Sequence, residues 1–306
     1  DARQQVARLI NAESSEIVFV SGGTEANAFA IESAVASGVK RLVVSAIEHD
    51  AVVETATASG VSVAVLPVDA HGVADLSKLP DLLAGEGRTL VCLMLANNET
   101  GVIQPLAEVV KLARERGLPI HTDAVQAAGK RPIDVRASGV DLLSLAAHKF
   151  HGPKGVGAVY VRGGLKFEPF LYGGGQESGR RSGTENTAGI VGMGVAAQCA
   201  AAYLTSSGAS SLAAVRDAFE AKVLAEVSGV TVNGDMTRRL PNTSHLSFDQ
   251  CDAAGLLILL DEAGVACSAG SACMTGKQKP SHVQLAMGIP EARAKSSLRI
   301  SFSRLN

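Results

Sequence analysis

Short apolar runs alternate with longer amphipathic segments through the first two-thirds of the chain. The runs, each typical of a buried strand, read EIVFV, RLVVSA, VSVAVLP, TLVCLMLA, PIHTD, VDLLSLAA and GAVYVR. Apolar residues at helical spacing predict helices between them at 24–37, 49–58, 75–84 and 105–116. This alternation predicts an α/β fold with a mainly parallel sheet flanked by helices. Such sheets bind ligands beyond the carboxyl ends of their strands, so those ends hold the candidates for chemistry.

The alternation ends after the seventh run. A Gly-rich loop over 162–186 is followed by an interrupted helical stretch over 187–228. Short runs such as TVNG, SHLSF and LRISFS then accompany one more helical pattern, which is typical of a smaller α+β unit. We therefore predict a large domain over 1–204 and a small C-terminal domain over 205–306.

Charge and composition exclude several classes of protein. Lys plus Arg is 28 and Asp plus Glu is 30, so no basic excess indicates a nucleic-acid partner. The longest apolar run, Ala253 to Leu260, is much shorter than the roughly 20 residues of a membrane-spanning helix. The polar start of the chain lacks the apolar core of a secretory signal. We expect a protein of the cytoplasm with neither a membrane nor a nucleic acid as its partner.

The cysteines agree with that compartment. There are five, Cys92, Cys199, Cys251, Cys267 and Cys273, and an odd, scattered set is not a disulfide framework. Thiols of this kind stay reduced in the cytoplasm. None of them forms the CxxC spacing of a zinc site, so we expect no metal centre.

A turn after the first run is a candidate phosphate site. The segment SGGTEAN places Gly22, Gly23 and Thr24 at the start of the next helix. A helix N-terminus presents free N–H groups and the positive end of the helix dipole to an anion. An ordinary strand–turn–helix connection with a threonine cap explains the same residues, and taken alone it is the simpler interpretation.

An acid and a lysine lie at the ends of two later runs. Asp123 is the last residue of the run PIHTD, and Lys149 follows the run VDLLSLAA. A lysine at the ligand edge of a sheet can form a Schiff base with a carbonyl. An acid facing a pyridine nitrogen is what pyridoxal phosphate (PLP) requires. Either residue alone is explained by a surface turn, but together with the phosphate turn they favour a PLP site.

Seven motifs strengthen this hypothesis by resemblance. They are SGGTEAN, EHDAV, NNETG, HTDAVQ, AAHKFHGPKGVGA, RRSGTEN and CSAGSAC. In this order and rough spacing they resemble the group I cysteine desulfurases, of the iron–sulfur-cluster and nitrogen-fixation type. These enzymes belong to the class V aminotransferase superfamily and to the PLP enzymes of fold type I. The resemblance covers essentially the whole chain.

The resemblance implies a set of cofactor contacts. Lys149 corresponds to the lysine that binds PLP covalently, Asp123 to the acid at the ring nitrogen, and His49 to the imidazole that stacks on the ring. The other implied cofactor contacts are Gly23, Thr24, Asn98, Gln126, His148 and Thr184. Thr184 corresponds to a phosphate contact that a second subunit donates, which implies a homodimer.

The resemblance also implies the reaction. L-cysteine is converted to L-alanine, and Cys273 accepts the sulfur as an enzyme persulfide. Arg299 and Asn98 correspond to the residues that hold the substrate carboxylate, a task that suits a bidentate guanidinium. Lys149 then acts on the Cα proton as a general base. The implied partner is a sulfur-acceptor protein such as an iron–sulfur scaffold.

Three features depart from the family pattern. Ala146 stands where the family commonly has Ser or Thr bound to the phosphate, so weaker cofactor retention is expected. Cys267 is an additional thiol six residues before Cys273, and a small buried residue explains it better than a catalytic role. Relatives usually extend beyond both ends of this chain, so we expect the N-terminus to be truncated.

Other functions remain open from the residues alone. A selenocysteine lyase or another class V PLP enzyme would share most of the motifs. A PLP-fold scaffold or sulfur carrier without turnover is a third alternative, and its support is Ala146 and the short ends. A nucleotide-binding Rossmann domain is disfavoured because no GxGxxG follows the first strand.

Overall fold

A computed structural model describes residues 1–269 and 280–305. The helices of this part of the chain are α1 (Ala2–Leu9), α2 (Gly23–Ala36), α3 (Asp50–Ala58), α4 (Leu79–Leu83), α5 (Leu106–Arg114), α6 (Val135–Ser138), α7 (Thr187–Leu204), α8 (Gly208–Glu226), α9 (Ala253–Glu262), α10 (His282–Ala286) and α11 (Glu291–Ala294). The strands are β1 (Ile17–Val20), β2 (Arg41–Ser45), β3 (Ser62–Leu66), β4 (Thr89–Cys92), β5 (Ile120–Asp123), β6 (Leu142–Ala146), β7 (Gly157–Val161), β8 (Val230–Val232), β9 (Thr243–Phe248), β10 (Ser268–Ala269) and β11 (Ser297–Ser301).

The large sheet has seven strands in the order β1-β7-β6-β5-β4-β2-β3. The neighbours β3, β2, β4, β5 and β6 run parallel, while β7 is antiparallel to both β1 and β6. Strands β1, β4, β5, β6 and β7 are buried along their whole length, as expected for a sheet covered on both faces. The predicted α/β class with a mainly parallel sheet is confirmed.

The small sheet is antiparallel throughout, in the order β10-β11-β9-β8. Its polypeptide is tied to the large sheet by backbone hydrogen bonds from Leu240 N to Gly101 O and from Ile103 N to Arg238 O. Ser281, which caps α10, donates to the Glu99 carboxylate at 2.6 Å. Arg299 of β11 donates to the backbone O of Asn98, which follows β4, so β11 lies near the carboxyl end of that strand. The division into domains at residue 204 remains a proposal, supported by the break between α7 and α8.

Two predicted elements are shorter in the structure. The helix predicted at 75–84 is reduced to α4, because Pro80 in its first turn sets where the helix begins. The run TLVCLMLA is assigned as a strand only through Cys92, although Leu93 and Leu95 continue to donate to the backbone of β5. The short helices α6, α10 and α11 carry too few residues for a periodic pattern to predict them.

Helix α7 is longer and more apolar than the continuous apolar runs in the sequence indicate. It spans 18 residues with a mean hydropathy of 1.4, which by length and composition is enough to cross a membrane, and a third of it is buried. Glycines and polar residues interrupt its sequence, so a search for continuous apolar runs passes over it. Helix α1 packs on α7. A Cβ on Gly194 would lie 2.7 Å from the Cα of Ala2, so the small residues of α7 permit this close helix packing.

Candidate active site

A cavity of about 570 Å3 lies where the carboxyl ends of the large-sheet strands face the small sheet. It gathers side chains from segments that are far apart in sequence, as the doubly wound topology requires. The predicted site residues that line it are Gly23, Thr24, His49, Asn98, Asp123, Gln126, His148, Lys149 and Arg299. The condition on which the PLP hypothesis depends, a lysine and an acid in one cavity, is therefore met by Lys149 and Asp123.

Asp123 ends β5 and is held rigidly. Its Oδ1 accepts from the backbone N–H of Val125 at 2.8 Å, and its Oδ2 accepts from Nδ2 of Asn27 at 2.6 Å. The carboxyl is only 5% exposed, and burial raises its pKa despite these two donors. A buried carboxylate of this kind gains from a cation placed against it, which is what a protonated ring nitrogen provides.

Lys149 lies in a 3-10 turn, Ala147–Phe150, that directly follows β6. The turn ends at His151, whose φ of 68° is in the left-handed region. Burial, together with the nearby charge of Arg299, lowers the pKa of Lys149. A lowered pKa increases the fraction of neutral amine, which is the nucleophilic and basic form.

His49 has two roles in the structure. It is the N-cap of α3, where its Nδ1 accepts the backbone N–H of Ala51 at 3.0 Å, and its ring also lines the cavity. Because Nδ1 is an acceptor, a neutral His49 carries its proton on Nε2. The helix cap thus fixes the orientation and the tautomer of a ring at the cavity wall.

The turn between β1 and α2 has the form of an anion cradle. Helix α2 begins at Gly23, and its N-cap is Gly22, which offers no side chain to the free N–H groups. A Cβ on Gly23 would lie 3.0 Å from Val125 and 3.4 Å from Ala146, so a larger residue would crowd the cavity. The backbone N–H groups at this end of α2 suit a phosphate. Thr24 lies inside the helix and is not its cap.

The opposite wall leaves polar atoms without partners. Arg299 Nε and Asn98 Oδ1 are buried with no hydrogen bond within the described chain. The two residues are joined by a different atom pair, because Arg299 Nη1 donates to the backbone O of Asn98 at 2.8 Å. Burial lowers the pKa of Arg299, and the charge of Glu99 offsets this only in part; no carboxylate forms an ion pair with Arg299 among residues 1–269 and 280–305. A half-buried guanidinium without an ion-pair partner in this part of the chain, next to an open cavity, fits a ligand carboxylate.

Two residues near the cavity were not among the sequence-predicted ones. Glu48 precedes His49 and is fully buried, with Oε1 accepting from the backbone N–H of Met94 at 2.5 Å. Burial and the neighbouring Asp123 raise the pKa of Glu48 to about 8. Lys130 donates to Gln126 through its Nζ. Spacing along the chain does not reveal either residue, since a polar side chain after a strand is usually exposed.

The comparisons with known proteins agree with this geometry. The family model Aminotransferase class-V matches residues 1–306. The chain belongs to the class-V aminotransferase family. It is 44% identical to the cysteine desulfurase of Nostoc sp. over 99% of this chain and 76% of that protein. It is 45% identical to the cysteine desulfurase NifS of Azotobacter vinelandii, again over 99% of this chain and 76% of the relative.

Solved structures show the same relationship. A NifS-like protein superposes with a TM-score of 0.91 and 35% identity, covering 100% of this chain and 82% of its own. A structure described as SspA in complex with cysteine gives a TM-score of 0.83 at 35% identity, covering 98% and 85% of the two chains. This class-V family member is a cysteine desulfurase, and the predicted family, fold type and activity are confirmed. Enzymes of this family depend on PLP.

Thr184 is not part of this cavity. It lies in a smaller pocket of this cysteine desulfurase, together with Phe19, Gly183 and Glu185. The loop that carries it is held by Arg181, whose guanidinium makes two contacts with the Glu25 carboxylate, at 2.7 and 3.1 Å. The contact of Thr184 with a cofactor phosphate in a partner subunit stays a prediction.

The cysteines are only partly covered by the structure. Cys273 lies outside the described residues, so its role stays a prediction as well. Cys267 is half-buried, and burial raises the pKa of its thiol. A raised pKa disfavours the thiolate that sulfur chemistry needs, which agrees with the interpretation of Cys267 as a packing residue.

Proposed function

We propose that this cysteine desulfurase binds PLP through Lys149 in the cavity, with the ring nitrogen against Asp123 and the phosphate at the N-terminus of α2. One observation carries the proposal: a lysine of lowered pKa, a buried acid and an unobstructed helix N-terminus all line the same cavity. Gly23 also fits this proposal, because a Cβ at that position would take up space in the phosphate cradle. The residues present therefore fit the cofactor.

Each residue has a task in the proposed reaction. PLP, when bound, supplies the electron sink that makes the substrate Cα proton acidic and weakens the bond to sulfur. The neutral amine of Lys149 takes and returns that proton as general base and acid. His49 and Gln126 hold the ring from the wall of the cavity, and Thr24 and His148 add to the phosphate cradle.

The substrate is L-cysteine, held by its carboxylate. Arg299 donates to this carboxylate, and Asn98 supplies a further contact at the same place. The support is the unpaired buried atoms of these two residues. Binding by the carboxylate leaves the amine and the side chain of the substrate free to point toward Lys149 and the sulfur acceptor.

The sulfur passes to Cys273. Its thiolate attacks the substrate sulfur, the carbon–sulfur bond breaks with its electron pair remaining on carbon, and protonation of that carbon gives L-alanine. The persulfide then delivers sulfur to an acceptor protein such as an iron–sulfur scaffold. The cysteines Cys92, Cys199, Cys251 and Cys267 are free thiols, which supports the reducing cytoplasm as the place of action.

The active form is a homodimer in which the partner subunit's Thr184 completes each site. This arrangement explains why Thr184 does not line the cavity of its own chain. Mixing Lys149→Ala subunits with Thr184→Ala subunits tests it, since a mixed dimer contains one complete site. We expect the mixture to exceed the summed activity of the two variants. A mixture that equals the sum would contradict a shared site.

Absorption spectroscopy and mass spectrometry test the proposal directly. Lysine-bound PLP absorbs at about 400–430 nm, and we expect this band in the purified enzyme and its loss in Lys149→Ala. After treatment with L-cysteine we expect an adduct of about 32 Da, one sulfur atom, on Cys273. Cys273→Ser should keep the band and lose the adduct. An adduct on Cys267 would contradict the assignment of Cys273.

A further inference from the structure

Within the described part of the chain, Lys130 donates its side-chain hydrogen bonds to one active-site residue, Gln126. Its Nζ donates to the backbone O of Gln126 at 2.8 Å and to Oε1 of the same residue at 3.3 Å. The two residues lie in consecutive turns after β5, and Gly129, with φ of 73°, brings Lys130 back toward Gln126. A Cβ on Gly129 would lie 2.7 Å from Phe150, so the turn needs glycine there for space as well as conformation.

Lys130 stands behind the active-site wall. It lines a second cavity, of about 220 Å3, and it is not among the residues that line the larger one. Gln126 lines both cavities, as do Asn98, His148, Lys149 and Arg299, and among these five it accepts the hydrogen bonds that Lys130 donates within the described chain. We therefore expect the effect of Lys130 on the reaction to pass through Gln126 or through its charge.

The contact with Lys130 decides which way the Gln126 amide faces. An amine or ammonium group donates to the carbonyl oxygen of an amide, and it is repelled by the NH2 group. With Oε1 turned to Lys130, the NH2 of Gln126, on the opposite edge of the planar amide group, points away from Lys130. That group is then available to donate into the larger cavity. A reversed amide would place an acceptor where the cofactor's phenolic oxygen is expected.

The charges around Lys130 are all of its own sign. Lys149 and Arg299 lower the pKa of Lys130, and the charge of Lys130 in turn disfavours the protonated forms of His148 and His151. No carboxylate is paired with Lys130 in the described parts of the chain. Burial is the largest cause, and it lowers the pKa of Lys130 to about 7. Such a placement is costly for a lysine, and two hydrogen bonds to one residue suggest a specific use.

We propose that Lys130 is a positioning residue for the desulfurase reaction, which orients the Gln126 amide to donate to the cofactor's phenolic oxygen. The inference rests on the proposed function, since it assumes PLP at Lys149. The oriented amide and the positive charge of Lys130 act in one direction. A donor at the phenolic oxygen and a positive charge nearby each make it harder to protonate the lysine-bound cofactor nitrogen.

The test is the pH titration of the band at about 400–430 nm in holoenzyme variants. In Lys130→Met we expect the midpoint of the titration to rise by about one pH unit, because the charge and the oriented donor are both lost. Lys130→Arg keeps a charge and donors, so its midpoint should stay near that of the wild type. Lys111→Met removes an exposed lysine on α5 and is the matched control, with no expected shift.

A double-mutant cycle separates orientation from charge. On a Gln126→Ala background the shift caused by Lys130→Met should shrink, because part of the effect passes through the amide. Equal shifts on both backgrounds would overturn the orienting role. A Lys130→Met enzyme that titrates like the wild type and only melts earlier would overturn the whole inference. Absence of the band from the wild type would instead contradict the proposed function.

Discussion

Two parts of the active-site lining carry groups of opposite charge and are built differently. The acidic wall is Asp123 with Glu48 buried beside it, and both are held by backbone and amide donors. The basic wall is Lys149, which follows β6 of the same large sheet, and Arg299 on β11 of the small sheet, with Lys130 behind it. None of these three forms an ion pair with a carboxylate in the described chain. Burial raises the pKa of both acids and lowers the pKa of all three bases.

The difference in charge between the two walls indicates which kind of ligand the cavity suits. Burial disfavours charge on both walls, and the attractions between Lys149 and Asp123 and between Glu99 and Arg299 offset this only in part. A ligand with a cationic nitrogen at one end and anionic oxygens at the other would relieve both. PLP together with an amino acid substrate has this distribution, with a protonated ring nitrogen, a phenolic oxygen and a carboxylate. The distribution of charge thus supports the proposal that the ring nitrogen lies at the acidic wall and the oxygens at the basic wall.

Asp123→Asn should have the largest effect, because it removes the charge of the acidic wall at the ring nitrogen. We expect kcat to fall by a factor on the order of 10^3, as for the loss of an essential acid–base partner. The enzyme should remain folded and keep its absorption band, since an amide fills the same volume. Steady-state kinetics check the result, with the exposed Asp261→Asn as the control. A loss below tenfold would remove Asp123 from the mechanism.

Arg299→Lys tests the basic wall. The variant keeps the charge but loses the planar pair of donors, so kcat/KM for L-cysteine should fall about 100-fold, mainly through KM. The PLP band should be unchanged, because the change concerns the substrate carboxylate. Arg238→Lys, at an exposed position, is the matched control. An unchanged KM in Arg299→Lys would show that the carboxylate binds elsewhere.

Glu48→Gln sharpens the account of the acidic wall through stability. The pKa of Glu48 is about 8 in the folded state against an ordinary value of 4.5. Between these values the folded protein keeps the proton and the unfolded chain loses it, so the wild type loses stability as pH rises. The neutral variant does not titrate here. Its stability relative to the wild type should grow by on the order of 1 kcal/mol per pH unit.

Urea unfolding of the two enzymes at pH 5.5 and 7.5 measures this difference. The stability of the variant relative to the wild type should be greater at the higher pH than at the lower one. Glu54→Gln, on the surface of α3, provides the comparison for a solvated carboxyl. If the difference between Glu48→Gln and the wild type stays constant with pH, Glu48 is ionised in the folded enzyme.

Ala146→Ser should have the smallest effect, and a favourable one. Ala146 lines the cavity beside Gly23, and a hydroxyl there could donate to the phosphate. One net hydrogen bond is worth about 1 kcal/mol, so we expect PLP to bind roughly fivefold more tightly. Equilibrium titration with PLP measures this, and Ala146→Val, without a hydroxyl, separates the hydrogen bond from volume. Equal affinities of the Ser variant and the wild type would place the phosphate elsewhere.

Most of the fold was predictable, because strands and helices each have a characteristic spacing of apolar residues in the local sequence. The runs EIVFV, PIHTD and VDLLSLAA each predicted a buried strand, and the structure has strands there. Their alternation with helices predicted the mainly parallel sheet, and with it the edge where ligands bind. The run GAVYVR predicted strand β7 but not its antiparallel direction, because direction depends on how the chain returns to the sheet and not on the residues of the strand.

The cofactor residues were predictable for a related reason. Asp123 is the last residue of β5 and Lys149 lies in the turn directly after β6, so their place at the sheet edge comes from local sequence. Lys130 and Glu48 were not predicted. Lys130 matters because a positive-φ glycine turns it toward Gln126, and Glu48 because tertiary packing buries it beside Asp123. A sequence shows that such residues are ionisable, and it does not show which other charges will surround them.

The chain's own residue order thus settles its family, its main sheet and the set of chemical groups at the sheet edge, because each of these depends on short stretches of neighbouring residues. Folding in three dimensions settles which ionisable groups lose water and which of them face one another. The unpaired guanidinium of Arg299 and the raised pKa of Glu48 belong to this second kind. Electrostatic energy depends on distance and dielectric, and both are properties of the packed structure.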